Sequence, residues 1–497
     1  MTDHLLVIDE GTTSTRAMLF TLAGECVASE ATELTQGYPR PGRVEHDAAE
    51  IWRKTLRVTA AMVAQAGGAG RIAAIGITNQ RETVVFWDRD SGEPLGPAIV
   101  WQDRRTADDC RRLREAGHEA LVQSRTGLLL DPYFSGSKMG WAMREWPALA
   151  AAGERLMVGT IDAWLAWKLT GNHVTDATNA SRTALMTLAP GSGPGRAGGW
   201  DDDLVALFGA PREALPEIVD CAGSIGETTL FGGRIAVTGM AGDQQAAAIG
   251  QACLTTGETK ATFGTGAFIL THTGESPPRS DHRLLGTVAW QIGGARTYAL
   301  EGSVFVAGSL VKWLRDTLGL IGDVGETAAL AASVADNGGV YLVPALSGLG
   351  APWWEPDARA AISGLSFATG KAHVVRAALE AMAHQAHDLK DAFAADGADW
   401  STLRIDGGMV ANDWMAQDLA DMLGLTVERP RFAETTALGA AMLAGVGAGL
   451  FRDLHEATAM RGEVEHFEPR LGTDERAARL AGWAAAVRTV VEPRVSA

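Results

Sequence analysis

The chain has 497 residues, of which 46% are hydrophobic and 21% charged. This is the balance of a globular protein, and the length is too great for one ordinary hydrophobic core, so two large domains are expected. The formal net charge of −17 argues against nucleic acid and anionic membrane surfaces as partners, because like charges repel.

Cysteine usage and the apolar segments indicate the compartment. The four cysteines, Cys26, Cys110, Cys221 and Cys253, form no CxxC pair, so the sequence contains neither a zinc motif nor an evident disulfide framework. The N-terminus lacks the basic segment of a signal peptide. No stretch reaches the roughly 20 apolar residues of a membrane helix. We therefore expect a cytoplasmic protein that is not inserted into a membrane.

The first eighty residues alternate between predicted strands and helices. Apolar runs on either side of the turns at 11–14 (GTTS) and 23–24 (AG) predict three short strands. A helix is predicted over residues 47–66, where apolar residues recur at helical spacing behind Asp47, a suitable N-cap. The continuous apolar run IAAIGIT at 72–78 predicts a strand buried on both faces. This alternation indicates an α/β architecture.

The rest of the chain predicts a second, similar half. We place a domain boundary near residue 254, which gives an N-terminal domain of residues 1–254 and a C-terminal domain of residues 255–497. Just after it, KATFGTGAFILTHTG repeats the strand, Gly-Thr turn and strand of the N-terminus, a weak internal repeat. Other predicted segments are a flexible surface excursion at 189–199, a helix at 242–252, a long helix at 373–396, the strand LRID before Gly407-Gly408, and a helix at 412–423.

Glycine turns directly after apolar strands predict a nucleotide site. The turn at 11–14 joins a glycine, which lets backbone N–H groups approach a phosphate, to three hydroxyl donors. Asp9 before it is a candidate Mg²⁺ ligand, and Arg16 after it could neutralise a phosphate tail. The turns at 264–266 (GTG) and 407–408 (GG) offer a second cradle and a flat surface for adenine. Each alone is more often an ordinary turn, and none matches a P-loop or a dinucleotide fingerprint.

Other motifs predict a binding site for a small polyol. NQRET directly follows the buried strand IAAIGIT, and α/β sheets bind ligands at the carboxyl ends of their strands. Its Arg81 and Glu82 supply donors and acceptors that suit vicinal hydroxyls. Trp101, Tyr133 and Phe268 could pack against the C–H face of a polyol, although core packing is the commoner role of an aromatic residue.

Asp243 is the candidate catalytic base. It opens a predicted helix after the apolar run IAVTGMA. A carboxylate near a phosphate cradle can deprotonate an alcohol, and phosphoryl transfer needs little else beyond positioning, charge neutralisation and Mg²⁺. The pattern leaves open the alternative that Asp243 only caps its helix.

Eleven phrases occur in order along the chain: IDEGTTSTR, YPRPGRVEHD, IGITNQRET, VWQDRRT, DPYFSGSK, TDATNASRT, GMAGDQQAA, FGTGAF, SGLGAPWW, DGGMVAN and ETTALGAA. Together they resemble the FGGY family of carbohydrate kinases, and within it the members that phosphorylate glycerol, from about residue 4 to residue 490. The resemblance implies two actin-like, RNase H-like α/β domains with an active-site cleft between them. It also implies phosphoryl transfer from Mg-ATP to glycerol, giving sn-glycerol 3-phosphate, in a homodimer or homotetramer.

The resemblance also implies roles for individual residues. Asp243 would be the general base and, with Asp9, a ligand for Mg²⁺. The glycerol-binding residues would be Arg81, Glu82, Trp101, Tyr133, Asp243, Gln244 and Phe268. The residues that bind ATP would be Thr12, Thr13, Ser14, Arg16, Thr265, Gly308, Lys312, Gly408 and Asn412.

The chain departs from the family pattern at three places. Glu10 stands where the family usually has Gln, which adds a charge beside the cradle and would affect Mg²⁺ if the side chain pointed inward. Lys312 stands where the bacterial pattern usually has Gln. The stretch TTLFGGRIAV at 228–237 is shorter than the loop that binds fructose 1,6-bisphosphate in regulated enteric members. We therefore expect this control to be weak or absent.

Two other functions compete with the phosphorylation of glycerol. An FGGY kinase for a longer polyol or a ketose, such as erythritol or xylulose, would share most motifs, but Tyr133 and Phe268 favour a small pocket. An actin-like ATPase without a metabolic substrate would share the phosphate hairpins. It would not need NQRET, nor Asp243 beside an alcohol.

Overall fold

The protein is described here by a computed structural model of residues 3–189, 199–355 and 357–491. The predicted surface excursion at 189–199 lies, apart from its two end residues, outside these ranges. Within them, no helix combines the length and the apolar character needed to cross a membrane.

The first half of the chain alternates strands and helices, as the sequence predicts. Its strands are β1 (His4–Glu10), β2 (Ser14–Thr21), β3 (Cys26–Glu33), β4 (Glu45–His46), β5 (Ile72–Asn79), β6 (Val84–Asp88), β7 (Ala98–Ile99), β8 (Leu156–Thr160), β9 (Val174–Asp176), β10 (Glu217–Val219), β11 (Ala222–Thr228) and β12 (Ile235–Gly242). Its helices are α1 (Ala48–Gln65), α2 (Ala107–Glu115), α3 (Glu119–Thr126), α4 (Ser135–Glu145), α5 (Pro147–Ala152), α6 (Ile161–Thr170), α7 (Ala177–Ser181), α8 (Asp202–Phe208) and α9 (Asp243–Gly250). The side chain of Asp47 caps α1 by accepting the N–H of Ala49, which confirms the predicted start of that helix.

The second half again begins with a hairpin and continues with helices. Its strands are β13 (Glu258–Phe263), β14 (Ala267–Gly274), β15 (Leu285–Ile292), β16 (Ala295–Val304), β17 (Tyr341–Val343), β18 (Ala361–Ser363), β19 (Thr402–Asp406), β20 (Val427–Pro430) and β21 (Val464–Phe467). Its helices are α10 (Gly308–Asp316), α11 (Glu326–Ala332), α12 (Lys371–Ala395), α13 (Asp413–Leu423), α14 (Thr435–Gly447), α15 (Leu454–Ala457) and α16 (Thr473–Val491).

One mixed sheet passes through both halves of the described chain. Its order is β21-β20-β19-β13-β14-β16-β15-β11-β12-β5-β1-β2-β3. In the first half β3, β2 and β1 pair antiparallel, and β5 and β12 continue the sheet in parallel. In the second half β16, β14 and β13 pair antiparallel, and β19 and β20 continue in parallel. The shared order and strand directions confirm the prediction of two similar α/β halves.

Smaller sheets lie beside the large one. The strands β4, β7, β6 and β8 form a four-stranded sheet in the order β4-β7-β6-β8, and two further pairs are β10-β9 and β17-β18. In the four-stranded sheet β6 begins at Val84, directly after NQRET, and β7 ends at Ile99, two residues before Trp101. It therefore carries two of the predicted polyol-binding segments.

Two helices in backbone contact link the halves. A Cβ on Gly439 of α14 would lie 1.8 Å from the carbonyl oxygen of Ala246 in α9, and one on Gly250 would lie 2.0 Å from that of Thr435. Only glycine allows such an approach. Because α9 begins at Asp243 and α14 begins beside Glu434, this contact holds two parts of the candidate site at a fixed separation.

Candidate active site

Asp243 lies at the carboxyl end of β12, in the first turn of α9. The N-cap position itself is Gly242. Asp243 Oδ1 accepts the N–H of Gln244 at 2.7 Å and lies 3.1 Å from Arg81 Nε. The side chain remains 33% exposed, and among the described residues none donates a hydrogen bond to Oδ2. Asp243 thus helps to satisfy the helix start and still presents a free carboxylate oxygen.

Arg81 and Glu82 follow β5 and are almost completely buried. Arg81 makes the contact to Asp243, and Glu82 Oε1 accepts a hydrogen bond from Arg182 Nε at 2.6 Å. Burial raises the pKa of Glu82, and the guanidinium groups of Arg182 and Arg81 oppose that rise. The backbone of Glu82 adopts a φ of 60°, in the left-handed region that non-glycine residues rarely occupy. This sharp turn directs two consecutive charged side chains into one polar cluster.

The three predicted aromatic residues lie together. The ring centroids of Trp101 and Tyr133 are 5.6 Å apart, and those of Trp101 and Phe268 are 6.4 Å apart, both edge-on. Trp101 Nε1 donates to Thr12 Oγ1 at 2.9 Å. The aromatic wall is therefore joined to the first glycine turn, as a polyol site beside a phosphate site requires.

The hairpin between β1 and β2 presents free hydroxyl groups. Gly11 N–H donates to the Ser14 carbonyl at 2.9 Å, and the Thr13 carbonyl accepts from Leu34 N–H at 2.8 Å. Thr13 is exposed, and no other described residue bonds to the hydroxyls of Thr13 or Ser14. The turn is therefore closed by its own backbone, and its hydroxyls remain available to a ligand.

Arg16 is paired with carboxylates on both sides. Its Nη2 donates to Asp9 Oδ2 and its Nη1 to Glu434 Oε2, each at 2.6 Å. Burial raises the pKa of Asp9, Arg16 opposes this, and the charges of Glu434 and Asp243 add to the rise. Asp9 and Asp243 therefore lie within electrostatic range of each other. An approaching phosphate would compete with Asp9 and Glu434 for the guanidinium.

Glu10 points inward. It is fully buried and accepts hydrogen bonds from the hydroxyls of Thr15, at 2.7 Å, and Thr55, at 3.1 Å. Burial raises its pKa well above the ordinary value, more than these hydrogen bonds lower it. A protonated carboxyl has the shape and neutrality of the Gln that the family pattern has at this position.

A cavity of about 530 Å³ lies in the second half, between the hairpin at 264–266 and the start of α13. The cavity is lined by all five of the nucleotide-binding residues that are predicted after residue 254, namely Thr265, Gly308, Lys312, Gly408 and Asn412. Apolar walls come from Val311 and Met409, as a purine base would need. Lys312 is exposed at the rim, and Asn412 also caps α13 by accepting the N–H of Met415 at 3.0 Å.

A neighbouring cavity of about 860 Å³ shares Gly408 and Ala411 with the first. Its lining includes Arg16, Asp406 and Glu434. The two cavities together connect the purine-sized space with the charged cluster around Arg16 and Asp9.

Three buried charged residues near the site were not predicted. Arg182 lies in TDATNASRT, which contributed to the resemblance but received no role. Glu301 and Lys260 are fully buried in β16 and β13. Glu301 carries the single charge of the stretch YALEGSV at 298–304, a signal that could have identified it, whereas Lys260 lies in the polar segment ETKATF and gives no such signal. Lys260 Nζ donates to Gln244 Oε1 and, at 3.0 Å, to Thr262 Oγ1. Burial lowers its pKa, while Asp406, Asp243 and Glu301 oppose that change.

Comparisons with known proteins agree with the fold. Two glycerol kinases are similar to this chain over nearly the whole length of both proteins. The glycerol kinase of Rhodospirillum rubrum is 52% identical over 98% of both chains, and glycerol kinase 1 of Pseudomonas aeruginosa is 51% identical over 99% of both. The crystal structure of Plasmodium falciparum glycerol kinase with ADP superposes with a TM-score of 0.92 at 34% identity, covering 99% of this chain and 98% of that one. The models of the FGGY family of carbohydrate kinases match residues 4–250 with the N-terminal domain and 259–448 with the C-terminal domain. The chain belongs to the FGGY family of carbohydrate kinases.

Proposed function

We propose that this protein transfers the γ-phosphoryl group of ATP to glycerol, giving ADP and sn-glycerol 3-phosphate. The observation that carries the proposal is the contact between Asp243 and Arg81, 3.1 Å apart, beside a small aromatic wall and next to a nucleotide-sized cavity. Relatives about 51% identical over nearly the whole chain are named glycerol kinase, which supports the same substrate.

Glycerol binds between the charged cluster and the aromatic wall. Arg81 donates to a hydroxyl and the buried carboxyl of Glu82 accepts from one, so that neighbouring hydroxyls are held together. The rings of Trp101, Phe268 and Tyr133 line the carbon chain as one wall, since the centroids of Phe268 and Tyr133 lie 6.4 Å and 5.6 Å from that of Trp101. A pocket bounded by three large rings favours three carbons over five.

Asp243 accepts the proton of the attacking hydroxyl. Its Oδ1 is held by Gln244 N–H and Arg81 Nε, which leaves Oδ2 for the substrate. As the proton moves to this oxygen, the hydroxyl oxygen forms its bond to the γ-phosphorus and the bond to the ADP oxygen breaks.

ATP occupies the cavity in the second half with its phosphates toward the two glycine hairpins. The described residues contain no group of three or more His, Cys, Asp or Glu that could hold a metal. Proteins commonly bind Mg²⁺ through one or two carboxylates together with substrate phosphates, and Asp9 and Asp243 are the carboxylates that would hold it here. When bound there, Mg²⁺ would neutralise charge on the phosphate oxygens. Arg16 supplies further positive charge once a phosphate draws it from Asp9 and Glu434.

The cellular setting follows from the substrate and the thiols. All four cysteines are free, which suits a reducing compartment. We infer a cytoplasmic enzyme. From the family resemblance we also infer that it associates as a homodimer or homotetramer.

Product identification tests the function. Purified protein is incubated with ATP and Mg²⁺ beside glycerol, erythritol, xylulose or ribulose, and each phosphorylated product is identified by ³¹P NMR and mass spectrometry. We expect sn-glycerol 3-phosphate to form much faster than any other sugar phosphate. Faster phosphorylation of xylulose or erythritol would contradict the proposed substrate and leave the family intact.

A further inference from the structure

A buried ion network links the candidate polyol site to the C-terminal domain. Glu301 lies on β16, within the residues matched by the C-terminal family domain, and is fully buried. Both of its carboxylate oxygens accept from Arg81: Nη1 donates to Oε2 at 2.6 Å and Nη2 to Oε1 at 3.2 Å. Its Oε1 also accepts from Arg182 Nη2 at 2.9 Å. Both arginines lie within the N-terminal family domain.

The network determines how much of Arg81 remains available. A guanidinium has five N–H donors. Nε lies against Asp243, Nη1 donates to Glu301 and to Gln245, and one N–H of Nη2 donates to Glu301. One N–H of Nη2 is left for a ligand. Because the bidentate contact with Glu301 fixes the plane of the guanidinium, it fixes the direction of that last donor.

The same carboxylate acts on Glu82 and Tyr133 through Arg182. Arg182 Nε donates to Glu82 Oε1 at 2.6 Å, and its guanidinium carbon lies 5.6 Å from the ring centroid of Tyr133. Arg182 therefore bridges the carboxylates of Glu301 and Glu82. Although burial alone would raise the pKa of Glu301, Arg182 and Arg81 lower it to about 2, so Glu301 remains ionised at neutral pH.

Stability alone is a poor explanation for this cluster. Buried ion pairs recover little more than the cost of desolvating their charges, and well-packed apolar residues often replace them without loss. Preorganisation of a polar binding site is a function that apolar residues cannot perform.

We propose that Glu301 is the positioning residue of the polyol site: from the C-terminal domain it orients Arg81 directly, and Glu82 and Tyr133 through Arg182, for binding glycerol. The inference rests on the proposed function. It also means that the polyol site is complete only when both domains contribute to it.

The test compares E301Q with the wild type and with a matched control. Glu380 on α12 is also a buried glutamate between two arginines, 2.9 Å from Arg376 and 3.5 Å from Arg479, but it has no contact with the polyol site, so E380Q controls for the loss of a buried charge. For E301Q we expect kcat/KM for glycerol to fall by about 10-fold to 100-fold, because a displaced binding group costs that much. KM for ATP should stay within about twofold, and E380Q should keep its kcat/KM for glycerol.

A second variant covers the case in which E301Q does not fold, judged by circular dichroism and ADP binding. E301D keeps the charge but withdraws the carboxylate by about 1.5 Å, a single carbon–carbon bond. We expect it to raise KM for glycerol and leave ADP binding unchanged. An unaltered kcat/KM for glycerol in the folded variant, or an equal loss in E380Q, would overturn the role of Glu301. If the wild-type protein does not phosphorylate glycerol, that result would instead overturn the proposed function, and the role of Glu301 with it.

Discussion

At the scale of single residues, catalysis depends first on Asp243. Replacing it by Asn keeps the size of the side chain and its contact with Gln244 but removes the proton acceptor. We expect kcat for D243N to fall by roughly 10²-fold or more, the contribution typical of a general base. ADP binding, measured by calorimetry, should be retained, because the nucleotide cavity lies on other residues. A near-normal kcat would remove Asp243 from the role of base.

Glu10 leads to a prediction about how the stability of the protein depends on pH. Because the pKa of Glu10 in the folded state is well above its ordinary value of 4.5, the folded protein holds a proton there that the unfolded chain has lost. Stability therefore decreases as pH rises from about 4.5 toward the folded pKa. E10Q removes this penalty, so the melting temperature of E10Q minus that of the wild type should increase from pH 5 to pH 8.

The control for E10Q is E25Q, which removes an exposed carboxyl at the turn before β3. Catalytic activity of E10Q should change little, since Gln resembles the protonated carboxyl. A difference between E10Q and the wild type that stays constant with pH would show that Glu10 is ionised in its buried site.

Residue types in their motifs predicted which segments the fold brings together. NQRET, GTTS, GTG and GG each follow a strand, and the structure brings Arg81 to Asp243 and collects Thr265, Gly308 and Gly408 around one cavity. Arg182 and Glu301 escaped prediction because their roles arise from pairing across 119 residues, which no local pattern reveals.

At the scale of elements, the second hairpin depends on close packing against α10. Gly308 N–H donates to the Gly264 carbonyl at 2.8 Å, and Ser309 N–H to the Thr265 carbonyl at 3.1 Å. A Cβ on Gly308 would lie 2.6 Å from that Gly264 oxygen. G308A should therefore displace the hairpin and raise KM for ATP by about tenfold, with glycerol affinity unchanged.

The control for G308A is G472A, because a Cβ at Gly472 meets no atom within 4 Å. Steady-state kinetics with each substrate varied in turn separates the two effects. Equal KM for ATP in G308A and the wild type would mean that the hairpin does not hold the nucleotide.

A second element, the connection between β11 and β12, concerns regulation. The strands β11 and β12 are joined by residues 229–234, and the ends of this connection are linked by an ion pair between Arg234 and Glu227. A connection this short offers little surface for a sugar bisphosphate. We expect millimolar fructose 1,6-bisphosphate to leave the initial rate unchanged, and a concentration-dependent drop in rate would contradict this.

Most elements were predictable from local patterns, and their assembly was less so. The start of α1 and the hairpins at 11–14 and 264–266 follow from capping and turn residues. The four-stranded sheet of β4, β7, β6 and β8 was not predicted, because two of its strands have only two residues each and their pairing depends on distant segments.

At the scale of the whole molecule, the two halves share one sheet and one site. The internal repeat in the sequence indicated two similar halves, but not that β15 pairs with β11 and so continues a single sheet across both. This continuity, with the contact of α9 and α14, places Asp243 and Glu301 from different family domains in the same charged cluster. The boundary near residue 254 stays a prediction.

The most direct test of the central claim is the rate of ADP release from purified protein with ATP and Mg²⁺, measured with and without glycerol. We predict slow release in the absence of glycerol and a large, saturable increase when glycerol is added, since the hydroxyl of glycerol is the nucleophile that Asp243 activates. ADP release that is the same with and without glycerol would contradict the account and indicate an ATPase that does not act on this polyol.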